Sequence, residues 1–306
     1  MRISKTVKNV IAIIIAIVIF YFLGRSLYRS WGEVVKSGIH FNLIYSIISI
    51  LFFLASSFAT GYTWQLTLRL LGANMSYWQS IRVIAISGFG KYLPGKVWAF
   101  GGRVLLSKRY GVGEAESSTA LLIETVGFAF AAFVVFFISL GFYHPGILPV
   151  KVYWSLVLVP LGLLLMHPKV LIKILSSLAR LTKRSITVPK FGYTDLSRIY
   201  FYYLLLFIIH VLGFFFLTQS IFPASHKSIV PIIGAYSISW ILGFLVLISP
   251  GGLGIREGLL TFFLKFVIPL PIATLMALIS RVWTTVGEVL FLILTLIKKE
   301  EKSGKG

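Results

Sequence analysis

Ser249-Pro250-Gly251-Gly252-Leu253-Gly254-Ile255-Arg256-Glu257-Gly258 stands between two long apolar runs and cannot extend either as a regular helix. Proline lacks a backbone donor and clashes with the turn before it, while glycine opens backbone conformations that a β-carbon disfavours. Upstream, Leu93-Pro94-Gly95-Lys96 interrupts the stretch Ser80–Lys108 in the same way, as the later unit interrupts Pro250–Pro271. Irregular backbone inside a bilayer is tolerated only where protein or a water-filled cavity surrounds it. Both units therefore read as helix breaks within the membrane.

The rest of the chain supports that setting. It has 306 residues, 58% of them hydrophobic and 12% charged, with a mean hydropathy of +0.92. A soluble domain of this size needs more charge to cover its surface. Runs long enough to cross about 30 Å of hydrocarbon recur at Val10–Leu27, Asn42–Trp64, Ser117–Phe142, Arg198–Phe222, Ser228–Ile248 and Ile272–Ile297, with a shorter one at Val152–Met166. The first resembles a signal peptide but no A-x-A pattern follows it, so an uncleaved span is expected. The fold class is all-α: a polytopic membrane protein of about eight transmembrane helices with two broken or re-entrant segments.

The formal charge of +20 suggests anionic lipid rather than nucleic acid, since no basic domain stands outside the spans. Arg2, Lys5 and Lys8 precede the first span. Lys169, Lys173, Arg180, Lys183, Arg184 and Lys190 fill the segment His167–Gly192, and Lys298, Lys299, Lys302 and Lys305 the tail. The segments His144–Lys151 and Pro223–Lys227 are nearly free of basic residues. This bias places both termini and the 167–192 loop in the cytoplasm of a multi-pass cell-membrane protein. Arg25, Arg29 and Lys36 run against the trend.

The two interrupted stretches also resemble each other. Gly102-Arg103-Val104-Leu105-Leu106 and Ala120-Leu121-Leu122-Ile123-Glu124 follow the first break. Arg256-Glu257-Gly258-Leu259-Leu260 and Ala277-Leu278-Ile279-Ser280-Arg281 follow the second. The 306-residue membrane domain thus divides into a first repeat of about 42–143, a linking span and cytoplasmic loop over 144–195, and a second repeat of about 196–297. One extra span between them inverts the second, a recurring transporter plan.

The acidic residues are few enough for each position to matter. Glu124, Glu257 and Glu288 fall in apolar helices, as do Arg103, Arg256 and Arg281. An unpaired charge at a helix centre costs roughly 2.5–3.5 kcal/mol on insertion scales, so partners, water or a ligand are required. Ser117, Ala120, Glu124, Gly127 and Ala131 share one helical face; Thr274, Ala277, Arg281, Thr284 and Glu288 share another. Both stripes are expected to face the protein interior, with Glu124 and Arg281 meeting near the axis between repeats. The helix starts after Pro94-Gly95 and Gly251-Gly252 leave free N–H groups that favour an anion. Lys96, Arg103, Arg256 and Arg281 are candidate phosphate ligands, because arginine grips phosphate through paired hydrogen bonds. Glu124, Glu257 and Glu288 would pair with them or meet a cationic headgroup or proton. The alternative reading is that the arginines do no more than neutralise the glutamates.

Other chemistry is absent or bland. There is no cysteine, so disulfides and thiolate metal sites are excluded. His210 lacks a companion at metal-ligand spacing and reads as a hydrogen-bonded interior residue. Lys265 reads as a snorkelling interface residue. No P-loop, G-x-S-x-G or H-E-x-x-H motif occurs, and neither a metal nor a cofactor is implied.

Gly90-Lys91-Tyr92-Leu93-Pro94-Gly95-Lys96, Gly102-Arg103 and the 249–258 stretch resemble the transmembrane, flippase-like region of the lysylphosphatidylglycerol synthase family. The resemblance covers nearly the whole chain, and the P-G-G-L-G-x-x-E run is its most specific part. It implies that Pro94, Gly95, Arg103, Glu124, Pro250, Gly251, Gly252, Gly254 and Glu257 matter most. In full-length synthases this region is held to move aminoacylated lipid between leaflets, and stand-alone members are associated with lipid or lipid-linked glycan translocation. The soluble aminoacyl-transfer domain is lacking here, so synthase activity is not expected. The reading is a non-enzymatic translocase for a lipid with an anionic phosphate headgroup, either a phospholipid or a polyprenyl phosphate. The rival readings are an integral-membrane transferase acting on a lipid phosphate, with Glu124 or Glu257 as base, and a non-transporting scaffold for envelope-synthesis enzymes.

Overall fold

The computed structural model describes residues 40–92, 97–143, 192–245 and 254–297, with a few isolated positions before and between them. The expected spans Val10–Leu27 and Val152–Met166 lie outside the described residues, as do Lys96 and the breaks at Pro94, Gly95, Pro250, Gly251 and Gly252. Among the described residues the chain is all-helical with no strand. In chain order the helices are α1 (Leu43–Leu70), α2 (Tyr77–Gly88), α3 (Val97–Arg109), α4 (Glu114–Leu140), α5 (Tyr193–Ile221), α6 (Ile229–Leu245), α7 (Ile255–Leu264) and α8 (Leu270–Ile297). Short 3₁₀ turns, Phe89–Tyr92 and His226–Ser228, follow α2 and precede α6.

Among the described residues, five helices are long and apolar enough to cross a membrane: α1, α4, α5, α6 with its preceding turn, and α8. The protein is a polytopic membrane protein. By contrast α2, α3 and α7 have 12, 13 and 10 residues. At 1.5 Å per residue they reach about 15–20 Å, short of the hydrocarbon thickness. Among the described residues, the order long helix, shorter helix, short helix, long helix occurs twice.

Helix–helix packing follows the same exchange. α1 lies along α5, α2 packs on α8 and α6 on α4, and the post-break helices α3 and α7 each pack on the long helix that follows. α1 and α5 run antiparallel: Asn42 N–H donates to Ser220 O at 2.8 Å, Ser49 Oγ to Gly213 O at 2.7 Å, and the Tyr62 ring lies 6.0 Å from that of Tyr202.

Several helices are polar inside and apolar outside. In α1, Ser49, Ser56, Thr63 and Thr67 are buried while Ile44, Ile47 and Leu51 are exposed. In α8 the stripe Thr274–Ala277–Thr284 is buried, and Val282, Val286, Val289 and Ile293 face outward. Lipid offers no hydrophobic gain for burying an apolar side chain, so small residues and local hydrogen bonds shape the interior instead. The α4 stripe behaves likewise, with Ser117, Ala120, Glu124, Gly127 and Ala131 all buried. Both inward-facing stripes read from the sequence are correct.

Helix ends differ from the hydropathy reading for local reasons. α1 runs past Trp64 to Leu70, because Gln65 satisfies its amide on Met75 O at 2.8 Å and Thr67 donates to Thr63 O at 2.8 Å. α5 begins at Tyr193 rather than Arg198, since the Asp195 carboxylate accepts from Gly192 N–H at 3.2 Å and caps the start. Polar residues that lower local hydropathy here extend the helices instead of ending them.

Candidate functional site

A cavity of about 360 Å³ opens between the long helices and the post-break helices. Its wall includes Lys91, Arg103, Glu124, Arg256, Arg281 and Glu288, with Ser56, His210, Tyr236 and Thr284. Five of the seven charged residues singled out from the sequence thus line one space. Glu257 is fully buried directly behind it, and Lys96 lies outside the described residues.

The charges are organised in pairs. Arg103 on α3 forms an ion pair with Glu124 on α4; its Nε donates to Ser87 Oγ at 3.1 Å, and its guanidinium lies 5.2 Å from the Trp64 ring centroid. Arg281 Nε on α8 lies 2.9 Å from Glu257 Oε1 on α7. Each pair ties a post-break helix to the long helix after it, and the polarity is reversed between them. In the aligned Leu-Leu and Ala-Leu segments, Arg103 corresponds to Glu257 and Glu124 to Arg281. A third pair joins Lys91, in the turn after α2, to Glu288 on α8.

Two expectations change. Glu124 and Arg281 are expected to meet each other, but each pairs within its own half, Glu124 with Arg103 and Arg281 with Glu257, because the short helix of that half packs directly on its long helix. The start of α7 was expected to offer free N–H groups to an anion. Glu257 takes that place itself: its carboxylate accepts from Gly254 N–H, with Gly254 at φ +83°, where a β-carbon would be strained. This helix start carries its own anion.

Sequence reasoning missed Lys91, Tyr236 and Trp64 as parts of the site. Lys91 stood inside a recognised stretch without being singled out, and an intramembrane lysine beside a break was the available signal. Tyr236 and Trp64 gave none, since aromatic residues are plentiful in spans. His210 is hydrogen-bonded as expected, through Nδ1 to Ser56 Oγ at 3.3 Å and through Nε2 to Tyr236 Oη at 3.1 Å, yet it also faces the cavity. Lys265 is exposed at the end of α7 and lies over the Phe262 and Phe266 rings. No group of three or more His, Cys, Asp or Glu suited to a metal occurs among the described residues.

Arg103 and Glu124 should therefore be coupled. Arg103→Gln and Glu124→Gln are each expected to lower thermal stability, and the double variant to lose less than the sum. The same cycle between Glu124 and Arg281 should be additive. Coupling in the second cycle and not in the first would overturn the pairing.

Fold and site together define a polytopic α-helical membrane protein with a charged cavity lined by its long and short helices. The chain belongs to the lysylphosphatidylglycerol synthase TM region family, whose model matches residues 9–291. No curated protein matches it.

Proposed function

We propose that this protein is a flippase-like transporter that moves a phosphate-bearing lipid between leaflets without altering it chemically. The observation that carries the reading is the buried, ion-paired cavity between helices that otherwise present apolar faces to lipid. A headgroup crossing a bilayer needs a polar space continuous with the membrane, while its acyl tails remain in hydrocarbon. Membership of a family named for lysylphosphatidylglycerol synthesis fits a lipid headgroup as cargo. The twofold order of elements and the antiparallel α1 and α5 support an inverted repeat, and alternating access in such folds rocks one half against the other. Glu124 and Glu257, the two candidate bases of a transferase, are both engaged with arginine, which favours transport over transfer.

Purified protein in liposomes is expected to speed movement of a fluorescent phospholipid to the outer leaflet, with its mass unchanged. A changed headgroup mass would establish the transferase reading, and lipid binding without movement would establish the scaffold. Orientation has its own test. A single cysteine at exposed Ser225 should react with an impermeant reagent on intact cells, and one at Ser185 should not. Tyr143 is unsuitable as a labelling site, being buried with its hydroxyl on Pro231 O at 3.1 Å. The reverse labelling pattern would place the termini outside.

A further inference from the structure

Charge in and directly behind the cavity does not balance. Among the described residues, Lys91, Arg103, Arg256 and Arg281 face Glu124, Glu257 and Glu288. The three carboxylates pair with Arg103, Arg281 and Lys91. Arg256 has no carboxylate partner among the described residues, although only 6% of its surface is exposed. Its Nε is buried with no hydrogen-bond acceptor among them. Removing one partner from a buried ion pair is strongly destabilising, and a buried guanidinium without its carboxylate has the same need. We propose that the cavity is a receptor for one phosphodiester monoanion held by Arg256, with Tyr236 and His210 as positioning residues for that guanidinium.

A chain of hydrogen bonds aims Arg256. Ser56 gives its hydroxyl hydrogen to Phe53 O at 2.7 Å, so its oxygen accepts from His210 Nδ1–H at 3.3 Å. His210 Nε2 is then the acceptor for the Tyr236 hydroxyl at 3.1 Å. The Tyr236 oxygen accepts in turn from Arg256 Nη2 at 2.7 Å, and the guanidinium lies 5.0 Å from the Tyr236 ring centroid. With the Ser56 hydrogen committed to Phe53 O, donation runs from Arg256 through Tyr236 and His210 to the α1 backbone, and the Thr284 oxygen, its own hydrogen on Ser280 O, is a second acceptor beside the Tyr236 hydroxyl. Gly243 leaves the space: a β-carbon there would come within 2.8 Å of Arg256 Cβ. The guanidinium is thus anchored at one nitrogen before any ligand arrives, which preserves its charge for that ligand.

The charge count sets the ligand class. A phosphodiester carries one negative charge and neutralises the single excess cation among the described residues. A phosphomonoester or diphosphate brings more negative charge than the cavity can offset, and a net cationic headgroup adds to the excess. A choline phosphodiester matches Arg256 but brings a cation beside Arg103, Arg281 and Lys91, so it should bind more weakly than a neutral-alcohol phosphodiester.

The inference rests on the headgroup reading of the cavity, and its test separates the two. Binding is measured by thermal stabilisation and native mass spectrometry with phosphatidylglycerol, phosphatidylcholine, phosphatidic acid and inorganic phosphate, and movement is measured on the same preparations. Phosphatidylglycerol is expected to bind about tenfold more tightly than phosphatidylcholine, as a net charge beside a charge-assisted contact implies. Phosphatidic acid should fall below phosphatidylglycerol, and inorganic phosphate alone should stabilise little. Arg256→Gln should bring phosphatidylglycerol and phosphatidylcholine within about twofold, losing the charge-assisted bonds. Arg256→Lys, which keeps the charge if the glutamine variant does not fold, should retain the preference at lower affinity. Tyr236→Phe should weaken phosphatidylglycerol while leaving its preference over phosphatidylcholine, because charge remains and only aim is lost. Equal affinity of the wild type for all three lipids would overturn the inference even if lipid moves. The preference without any movement would overturn transport and leave the inference standing. Tight binding of inorganic phosphate would assign the site to a free anion instead.

Discussion

Glu257→Gln is expected to cost about 3–5 kcal/mol, the largest loss of any single substitution considered, because it leaves a buried cation without its anion. Glu257 is fully buried and has two duties: its carboxylate lies 2.9 Å from Arg281 Nε, and it accepts from Gly254 N–H at the start of α7. Glutamine keeps the shape and can still accept the backbone bond, so what it removes is the charge. Arg281 then lies in the membrane interior without its nearest anion. Unfolding followed by heating in detergent should show a large fall in Tm, with α7 the first helix to exchange amide hydrogens. Arg281→Met in the Glu257→Gln background should recover much of the loss, since a pair of uncharged side chains needs no compensation. If Glu257→Gln is as stable as the wild type, the pair does not hold α7 to α8.

Gly234→Ala is the second large effect, and it tests packing rather than charge. A β-carbon at 234 on α6 would fall 1.8 Å from Ser139 Oγ and 2.2 Å from Ser139 Cβ on α4. Ser139 Oγ can rotate away about χ1, but its Cβ cannot leave without moving helix backbone, so α4 and α6 must separate. Overpacking of this kind costs about 1–3 kcal/mol, and it widens the wall that carries Glu124 and Tyr236. Ser139→Gly should restore the fit by transferring the small residue to the other helix. The expected pattern is a destabilised Gly234→Ala, a Ser139→Gly variant close to wild type, and a double variant more stable than Gly234→Ala alone. Strict additivity would show that the two helices do not meet at this point.

Gly127, Gly61 and Gly287 repeat the theme. A β-carbon at these positions would lie 2.4 Å from the Tyr203 ring, 2.5 Å from Ile81 Cγ1 and 2.4 Å from the Phe53 ring. Close helix approach through glycine lets dispersion and backbone contacts accumulate where lipid removes the hydrophobic drive. An exposed ion pair such as Lys108 with Glu114, 2.9 Å apart on the surface, adds little beside these contacts.

Much of the protein was legible in its residues. Long apolar runs, a scarcity of acids and two Pro-Gly interruptions imply a helical membrane protein with broken segments, because hydrocarbon admits no unsatisfied backbone. The inward stripes on α4 and α8 follow from helical periodicity, since a charge and its small neighbours cannot all face lipid. The charged residues of the cavity other than Lys91 were legible for the same reason. Their partners were not. That Glu124 meets Arg103 rather than Arg281, that Lys91 reaches Glu288, and that Arg256 bonds to Tyr236 depend on how the eight described helices cross. Helix crossing is decided by glycine contacts such as Gly234 on Ser139 and Gly243 on Arg256, which lie far apart in sequence. Periodicity tells which face of a helix turns inward, but it carries no information on which other face it meets. Charge pairing in a membrane interior is settled by that meeting, so only the tertiary structure could decide which cation meets which anion.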